Sequence, residues 1–230
     1  MKKINLVEMV SDFLASDMPA DMVSQYHPEI IKKYLENAFN QVVYQVWHNG
    51  KKFSDYSQLD AWTRTYQLQI YDHSLISGLG SGIIRLPYPP MQLPNNMGIR
   101  QVASYMNENV VFAYLENSAV AIFQELEVSS IDTTPRFRLE QNDTGGGSES
   151  HVLKLDKIPM SVMSPFYDVP PSVAYINVKM IVPLDEVGDY EDVAMPAGQE
   201  DLLVRQTIEF LKNKPPQDTV NDQIADRPNQ

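Results

Sequence analysis

Hydrophobic residues recur at helical spacing in three stretches of the chain. The first stripe predicts an amphipathic helix over residues 3–17. The second stripe is the widest, and it predicts a helix that begins at Pro28 and stops at Gly50, where glycine permits a left-handed turn. The third stripe predicts a helix after residues 196–201, whose acidic side chains suit the positive end of a helix dipole.

Two shorter helical segments are indicated by capping residues. Ser54 is expected to cap a short helix toward Trp62, and Asn117 or Ser118 is expected to cap a helix that reaches Leu126. Each segment has only a few apolar positions after the capping residue. The prediction of a helix therefore depends mainly on the cap.

The pattern changes after Thr63, where apolar and polar residues alternate as they do in half-buried strands. Residues 78–98 interrupt the alternation with many glycines and prolines, and we expect an extended, irregular segment there. Strands are predicted near residues 65–70, 99–105, 110–115, 137–139, 152–155 and 173–182, and the fourth and fifth of these form a hairpin with a long tip at 142–150.

The separation of helical and strand-like stretches predicts an α+β fold, with N-terminal helices packed on a mostly antiparallel sheet. We expect one domain over residues 1–214, with a helical part at 1–62, a mainly β part at 63–195 and a C-terminal helix at 196–214. Residues 215–230 begin with two prolines and hold too few large apolar residues to fold alone, which predicts an extended docking tail.

Composition limits the class of function. The chain has 18 basic and 30 acidic residues, and its net charge of -12 opposes a broad grip on nucleic-acid phosphates. An acidic surface can still let DNA slide past without trapping it. The chain has no cysteine, so a disulfide framework or a thiolate metal site is impossible. Glu8 and Asp12 break the apolar run of an export signal, and no apolar stretch is long enough to span a membrane.

Sequence patterns typical of catalytic, nucleotide-binding or metal sites are weak in this chain. The four histidines lack the paired spacing of a metal site, and the glycines at 78–82 lack the lysine and hydroxyl of a nucleotide-binding loop. The acidic run at 185–192 lacks the glycine and glutamate placement of a calcium loop, so a solvated acidic turn is favoured. We therefore predict no catalytic residue, no cofactor and no metal site.

Two stretches carry a resemblance to a known family. Residues Leu86–Val102, in which a proline-rich run precedes Gly98-Ile99-Arg100, resemble a segment of the connector ring proteins of short-tailed phages. Residues 196–201 and 214–222 resemble the usual ending of the same proteins. The likeness covers most of residues 25–222 and is closest to the portal-proximal ring proteins of crAss-like phages.

The resemblance implies a structural virion protein and not an enzyme. Such a protein forms a ring of about twelve copies beneath the portal, at the tail and portal vertex of the virion, after assembly in the host cytoplasm. The implied partners are further copies of the chain, the portal protein, other connector, tail or muzzle proteins, and genomic DNA that passes through the channel without specific binding. No cofactor and no membrane insertion are implied. Candidate subunit or partner contacts are Leu86, Pro87, Tyr88, Pro90, Leu93, Pro94, Ile99, Arg100, Pro215, Pro216, Val220 and Ile224.

Two other functions stay open at the level of sequence. A small-molecule or nucleotide-binding enzyme domain would use the loop Gly78–Gly82, with His73 nearby. An adaptor of the phage tail or baseplate, outside the connector, would also use the C-terminal segment 215–230 for docking. The size of the purified protein separates these classes, because an enzyme would be a stable monomer with a deep pocket and a connector would form a ring.

Overall fold

A computed structural model describes residues 1–17, 19, 26–76, 79–105, 108–115, 134–142, 150–159, 162 and 175–213. The chain divides into two compact units. The helical unit comprises Met1–Trp62 and Pro183–Gln230, and the sheet unit comprises Thr63–Val182. The predicted boundary after residue 62 coincides with the boundary between the units, whereas residues 183–195, which we assigned to the β part, belong to the helical unit.

The helical unit contains the three longer helices that the sequence predicts. Helix α1 spans Lys3–Asp17, α2 spans Pro28–Phe53 and α3 spans Glu200–Asn213. Each helix buries its apolar stripe, and the three stripes meet in one core. The largest fully buried side chains of these helices include Leu6, Leu14, Ile31, Leu35 and Phe39.

The end of α2 differs from the prediction. Gly50 does not stop the helix but lies inside it, and its backbone is buried because the returning chain passes close to it. A β-carbon on Gly50 would lie 2.7 Å from the carbonyl oxygen of Asp55 and 2.8 Å from the ring of Tyr56. The left-handed residue is Ser54, with φ 54°, and its N–H donates to the carbonyl of Gly50. Close packing, and not backbone conformation, explains the glycine.

A 3-10 helix over Ser57–Trp62 follows, and its cap lies one residue beyond the predicted one. The carboxylate of Asp55 accepts the N–H of Ser57 at 2.9 Å. Hydrogen bonds from the backbone and the hydroxyl of Ser57 hold the pKa of Asp55 below its ordinary value. The ring of Trp62 packs edge-on against Phe39, with centroids 5.5 Å apart, and this contact fixes the 3-10 helix on α2.

The described strands of the sheet unit are β1 (Arg64–Gln69), β2 (Tyr71–Ile76), β3 (Leu79–Arg85), β4 (Ile99–Ser104), β5 (Ala113–Tyr114), β6 (Arg136–Asn142), β7 (Ser150–Pro159) and β8 (Tyr175–Met180).

These strands form two sheets. Strands β1, β8 and β4 form a three-stranded antiparallel sheet in that order, and β2, β3, β7, β6 and β5 form a five-stranded sheet in that order. Among the described strands the short β5–β6 pair is parallel and the others are antiparallel. The predicted α+β fold is therefore confirmed.

Most strand predictions agree with this arrangement. The alternation after Thr63 is β1, and the predicted hairpin is the β6–β7 pair. The β-branched run before Pro183 is β8. The hairpin tip at residues 143–149 and the predicted helix that reaches Leu126 lie outside the described residues.

Residues 78–98 are more regular than we predicted. Residues 79–85 form β3, which pairs with β2 on one side and β7 on the other. Glycine fits this strand because a side chain on Gly82 would overlap the side chain of Ile70. The irregular part of the segment is confined to the residues after Arg85.

Candidate interaction surfaces

The segment that carries the family resemblance is tied to the end of β8. The N–H of Met91 donates to the carbonyl of Ile181 at 2.8 Å, and the N–H of Ile181 donates to the carbonyl of Gly98 at 2.8 Å. A side chain on Gly98 would overlap the carbonyl of Met91. These contacts hold the two ends of the segment Met91–Gly98 against one residue, so this part of the proline-rich loop has a defined conformation.

Four of the candidate contacts in this segment are buried. Leu86, Pro90, Leu93 and Ile99 lie inside the sheet unit. Leu86 and Ile99 flank the irregular segment, next to β3 and within β4, and Pro90 and Leu93 lie inside it, so these side chains belong to the core and present no surface to a partner. This finding corrects the expectation that they contact another subunit.

The other four candidates of the segment keep accessible surface. Pro87 and Pro94 are exposed, and Tyr88 and Arg100 are half-buried. The ring of Tyr88 packs against Tyr66, with centroids 6.0 Å apart. The candidate contact surface of the loop is therefore reduced to these four residues.

The four candidates in the C-terminal tail, Pro215, Pro216, Val220 and Ile224, lie outside the described residues. Helix α3 ends at Asn213, so 17 residues of chain follow the last described position. At roughly 3.3 Å per residue, a segment of this length reaches far beyond its own attachment point when extended.

The three-stranded sheet has one polar face. Cross-strand register places Thr65 and Gln67 of β1 beside Lys179 and Asn177 of β8, and Gln101 of β4 lies opposite Lys179. Thr65 and Gln67 are exposed and the other three are half-buried. A shallow cleft of about 170 Å³ lies on this face. The lining of the cleft also includes Glu108, so the described part of this face offers neutral hydrogen-bonding groups, the ammonium group of Lys179 and one carboxylate.

The two edges of this sheet differ. The β4 edge is partly covered, because the N–H of Ser104 donates to the carbonyl of Val110 at 3.0 Å. On the β1 edge, residues 65–69 form no backbone hydrogen bond to another described residue beyond the pairing with β8. Strand β1 has no proline and one charged residue, Arg64, so it lacks the devices that usually protect an edge strand.

Large aromatic side chains are exposed on the sheet unit. Tyr105 follows β4 and is 47% exposed, and Tyr175 begins β8 and is 39% exposed. Their rings meet edge-on at 6.3 Å, and the N–H of Tyr105 donates to the carbonyl of Tyr175. Tyrosine combines an apolar ring with a polar tip and is enriched in protein interfaces. This pair is a candidate contact that the sequence analysis missed.

The helical unit also exposes aromatic and aliphatic side chains. Phe53 at the end of α2 is 72% exposed, and Tyr190 in the segment before α3 is 78% exposed. Phe13 on α1 and Leu202 on α3 are each about half exposed. Phe13 also lines a groove of about 350 Å³ together with residues of α1 and α3, including Val204.

We predicted that the acidic run at 185–192 is a solvated turn. In the structure, part of this run is instead bonded to the helices of its unit. Asp189 accepts a hydrogen bond from Lys32 at 2.7 Å, and Glu29 accepts one from the same ammonium group at 3.0 Å. Both hydrogen bonds hold the pKa of Lys32 above its ordinary value, and the bond to Asp189 has the larger effect. Asp185 and Glu186 remain exposed, as the prediction requires.

A buried ammonium group joins the same segment to α1. Lys3 is 4% exposed, and its Nζ donates to Glu36 at 3.1 Å and to the carbonyls of Leu184 and Val187 at 2.8 Å and 3.3 Å. Sequence reasoning missed this contact. The signal was present, because Lys3 lies in phase with the apolar stripe of α1.

The histidines that we tested as chemical sites lie on α2, β2 and β7. His27 caps α2 by accepting the N–H of Glu29 at 3.4 Å, His48 lies within α2, and His73 and His151 lie on β2 and β7. In the part of the chain that the structure describes, no three histidine or acidic side chains are grouped to hold a metal ion.

The glycine-rich loop of the enzyme alternative has a different structure from that of a phosphate-binding loop. Gly80 and Gly82 lie within β3 and pair with Ile158 and Leu155 of β7. A phosphate-binding loop leads into a helix, whereas here the strand continues to Arg85. The structure therefore gives the nucleotide-binding alternative no support at this position.

Comparisons with protein-family models and with curated proteins give no match. No helix within the described ranges is both long enough and apolar enough to cross a bilayer. The surfaces described above, together with the resemblance of two sequence segments, are the basis for a function.

Proposed function

We propose that this chain is a structural virion subunit that assembles into a ring of the phage head-to-tail connector, beneath the portal. The ring holds about twelve copies and lines the channel through which DNA passes. The resemblance of Leu86–Val102 and of the C-terminal segments to connector ring proteins supports the place in the virion. The exposed aromatic surface is the observation that supports assembly.

Exposed aromatic rings are costly in a monomer and useful in an assembly. Burial of a large apolar side chain contributes roughly 1.5–3 kcal/mol. Phe53 and Tyr190 on the helical unit, and the Tyr105–Tyr175 pair on the sheet unit, are all available for such burial. A closed ring requires two different contact surfaces on each subunit, and these residues provide surfaces on two separate units of the chain.

The charge of the chain fits a channel protein. A ring of subunits that each carry a net charge of -12 repels the phosphates of DNA. Repulsion prevents tight contact, so DNA moves through the channel during packaging and ejection without being held. The same charge opposes a function in which the chain binds DNA firmly.

The proposal is tested by the mass and shape of the purified full-length chain, alone and mixed with the portal protein of the same phage. Sedimentation and negative-stain images are expected to show closed rings, either alone or after the portal protein is added. A chain that stays monomeric at all concentrations and does not bind the portal protein would contradict the proposal. Binding to a tail protein without binding to the portal protein would favour the adaptor alternative instead.

A further inference from the structure

We infer that the open edge of β1 is the docking site for the C-terminal tail of a second copy of the chain, which adds residues 218–224 to the three-stranded sheet as a further strand. The inference rests on the proposed ring, because it names the edge and the segment that join neighbouring subunits. Addition of a strand to an exposed sheet edge is a common mode of recognition, in which backbone hydrogen bonds supply affinity and alternate side chains supply specificity.

Over residues 65–69, the outer edge of β1 is unpaired among the described residues. Residues 65–69 bond to β8 on one side and to no other described backbone on the opposite side. An unprotected edge of this length is a template for another strand. The opposite edge of the sheet, at β4, is already occupied in part by the segment that contains Val110.

The pattern of the tail resembles that of β1. Thr219, Asn221 and Gln223 alternate with Val220, Asp222 and Ile224. Strand β1 has a similar alternation, with Thr65, Gln67 and Gln69 on its polar face and Tyr66 and Leu68 on the other face. A paired tail would extend the polar face with hydroxyl and amide groups, and the other face with two aliphatic side chains and the carboxylate of Asp222.

Charge favours the same pairing on one face. Strands β1, β4 and β8 contain Arg64, Arg100 and Lys179 and no acidic residue, and Glu108 lines the cleft on their polar face. Residues 218–224 contain Asp218 and Asp222 and no basic residue, and both acids alternate onto the face of Val220 and Ile224. Arg64 alternates onto the face of Tyr66 and Leu68, so the acids of a paired tail and Arg64 would lie on the same face of the extended sheet.

The position of the prolines defines where pairing begins. Pro215 and Pro216 have no N–H and cannot continue a ladder, so they act as a spacer between α3 and the pairing segment. A tail that leaves one copy and docks on the next creates a head-to-tail contact, and a contact of this kind gives a ring when the rotation between copies closes. A tail that docked on its own chain would join nothing.

The absence of cysteine from the chain makes a disulfide test specific. One variant carries Gln67→Cys, on the polar face of β1, and each of six others carries one cysteine at a position from 219 to 224. The first variant is mixed with each of the others, allowed to assemble and oxidised. Directly opposed residues of paired strands have β-carbons about 4.5–5.5 Å apart, which a disulfide spans with little movement. Disulfide-linked dimers are expected to form severalfold more at one or more of positions 219, 221 and 223 than at 220, 222 and 224.

Controls separate this docking from other contacts. Asn37→Cys, an exposed position on α2, is expected to give little product with any tail variant. Equal yields at all six tail positions, or equal yields from Asn37→Cys, would overturn the inference. Dimers of the Gln67→Cys variant with itself would show that two β1 edges pair with each other, which also overturns it.

A chain with both Gln67→Cys and Asn221→Cys distinguishes docking within one chain from docking between copies. A disulfide confined to single chains, with no product from mixed single variants, would overturn docking between copies. The mass of the unmodified assembly is measured in parallel. If rings form and the alternating pattern is absent, the docking inference fails and the proposed function stands, whereas a chain that forms no oligomer either alone or with the portal protein contradicts both.

Discussion

The carbonyl group of Met91 occupies the space that a side chain on Gly98 would take. Both residues hydrogen-bond to Ile181, one through its N–H and the other through its carbonyl, so the two ends of the segment Met91–Gly98 meet at the end of β8. The buried side chains of Leu86 and Leu93 secure the loop from inside. The loop that resembles a connector segment is thus built into the sheet unit.

This relationship predicts that Gly98→Ala destabilises the sheet unit. A β-carbon at Gly98 overlaps backbone atoms that cannot rotate away, so Met91 must shift and weaken its bond to Ile181. We expect a loss of about 1–3 kcal/mol, the usual range for overpacking. The measurement is the urea midpoint followed by far-ultraviolet circular dichroism.

Gly188→Ala is the matched control. A β-carbon at Gly188 would lie 3.5 Å from Glu191, which is an ordinary contact, so the urea midpoint should change little. If Gly98→Ala is as stable as Gly188→Ala, the loop is not held as described.

Lys3→Met is expected to destabilise the helical unit. Methionine keeps much of the apolar length of lysine but donates no hydrogen bond, so the carbonyls of Leu184 and Val187 lose a buried donor and Glu36 loses its cation. The expected loss is about 1–3 kcal/mol. Both tryptophans, Trp47 and Trp62, lie in the helical unit, so tryptophan fluorescence during urea unfolding reports on this unit.

Lys33→Met provides the comparison, because Lys33 is exposed on α2. Its fluorescence midpoint should stay near that of the unmodified chain. Equal stability of the two methionine variants would show that the buried bonds of Lys3 contribute nothing.

The sequence was informative where one face of an element is buried. The stripes of α1 and α3 and the alternation of β1 predicted these elements because burial on one side imposes a period. Gly50 and Gly82 were misread, because their role is to leave space for Asp55 and Ile70, which are brought near by the fold and not by local sequence.

The candidate surface was predicted less well for a related reason. Exposure of Tyr105 and Tyr175 and the open edge of β1 depend on which strands become neighbours, and strand order cannot be read from alternation alone. The apolar residues of the proline-rich loop were taken as contacts because a loop is usually exposed. In this loop half of the candidates turn inward and form core.

Asp55→Asn is expected to lower stability in a pH-dependent way. The pKa of Asp55 is depressed in the folded chain by its hydrogen bonds to Ser57, so the ionised group contributes stability above the unfolded pKa of about 3.8, and the contribution is lost as pH falls through the folded pKa. Asparagine still caps a helix but has no charge. The fluorescence midpoint of the variant should be lower at neutral pH, and the difference should disappear in acid.

Asp12→Asn serves as a control for the general effect of charge, since Asp12 is exposed on α1. Its midpoint should follow that of the unmodified chain at each pH. A difference between Asp55→Asn and the unmodified chain that persists unchanged in acid would contradict the role given to the ionised carboxylate.

Deletion of residues 215–230 is expected to prevent assembly and to leave the rest of the chain folded. The described core ends at Asn213, and both compact units have their buried side chains before that point. Circular dichroism and the urea midpoint should therefore be preserved, while rings or portal-bound particles are lost. Truncated protein that builds normal, DNA-retaining particles would refute a docking role for the tail.

Replacement of the exposed Tyr105–Tyr175 pair by serine tests whether the aromatic surface serves assembly. The two side chains are 47% and 39% exposed, so Tyr105→Ser with Tyr175→Ser also removes buried ring area and the edge-on ring contact from the isolated chain, and its urea midpoint should fall modestly. In an interface the same change removes burial of the exposed part of each ring, roughly 0.7–1.5 kcal/mol each, which together raise the concentration needed for assembly about tenfold. Sedimentation over a range of concentrations measures this shift, and the serine variant of exposed Tyr44, on α2, shows the effect of removing a ring elsewhere. If both variants assemble at the same concentration as the unmodified chain, the tyrosine pair lies outside the subunit contacts, and its exposure no longer supports the proposed ring.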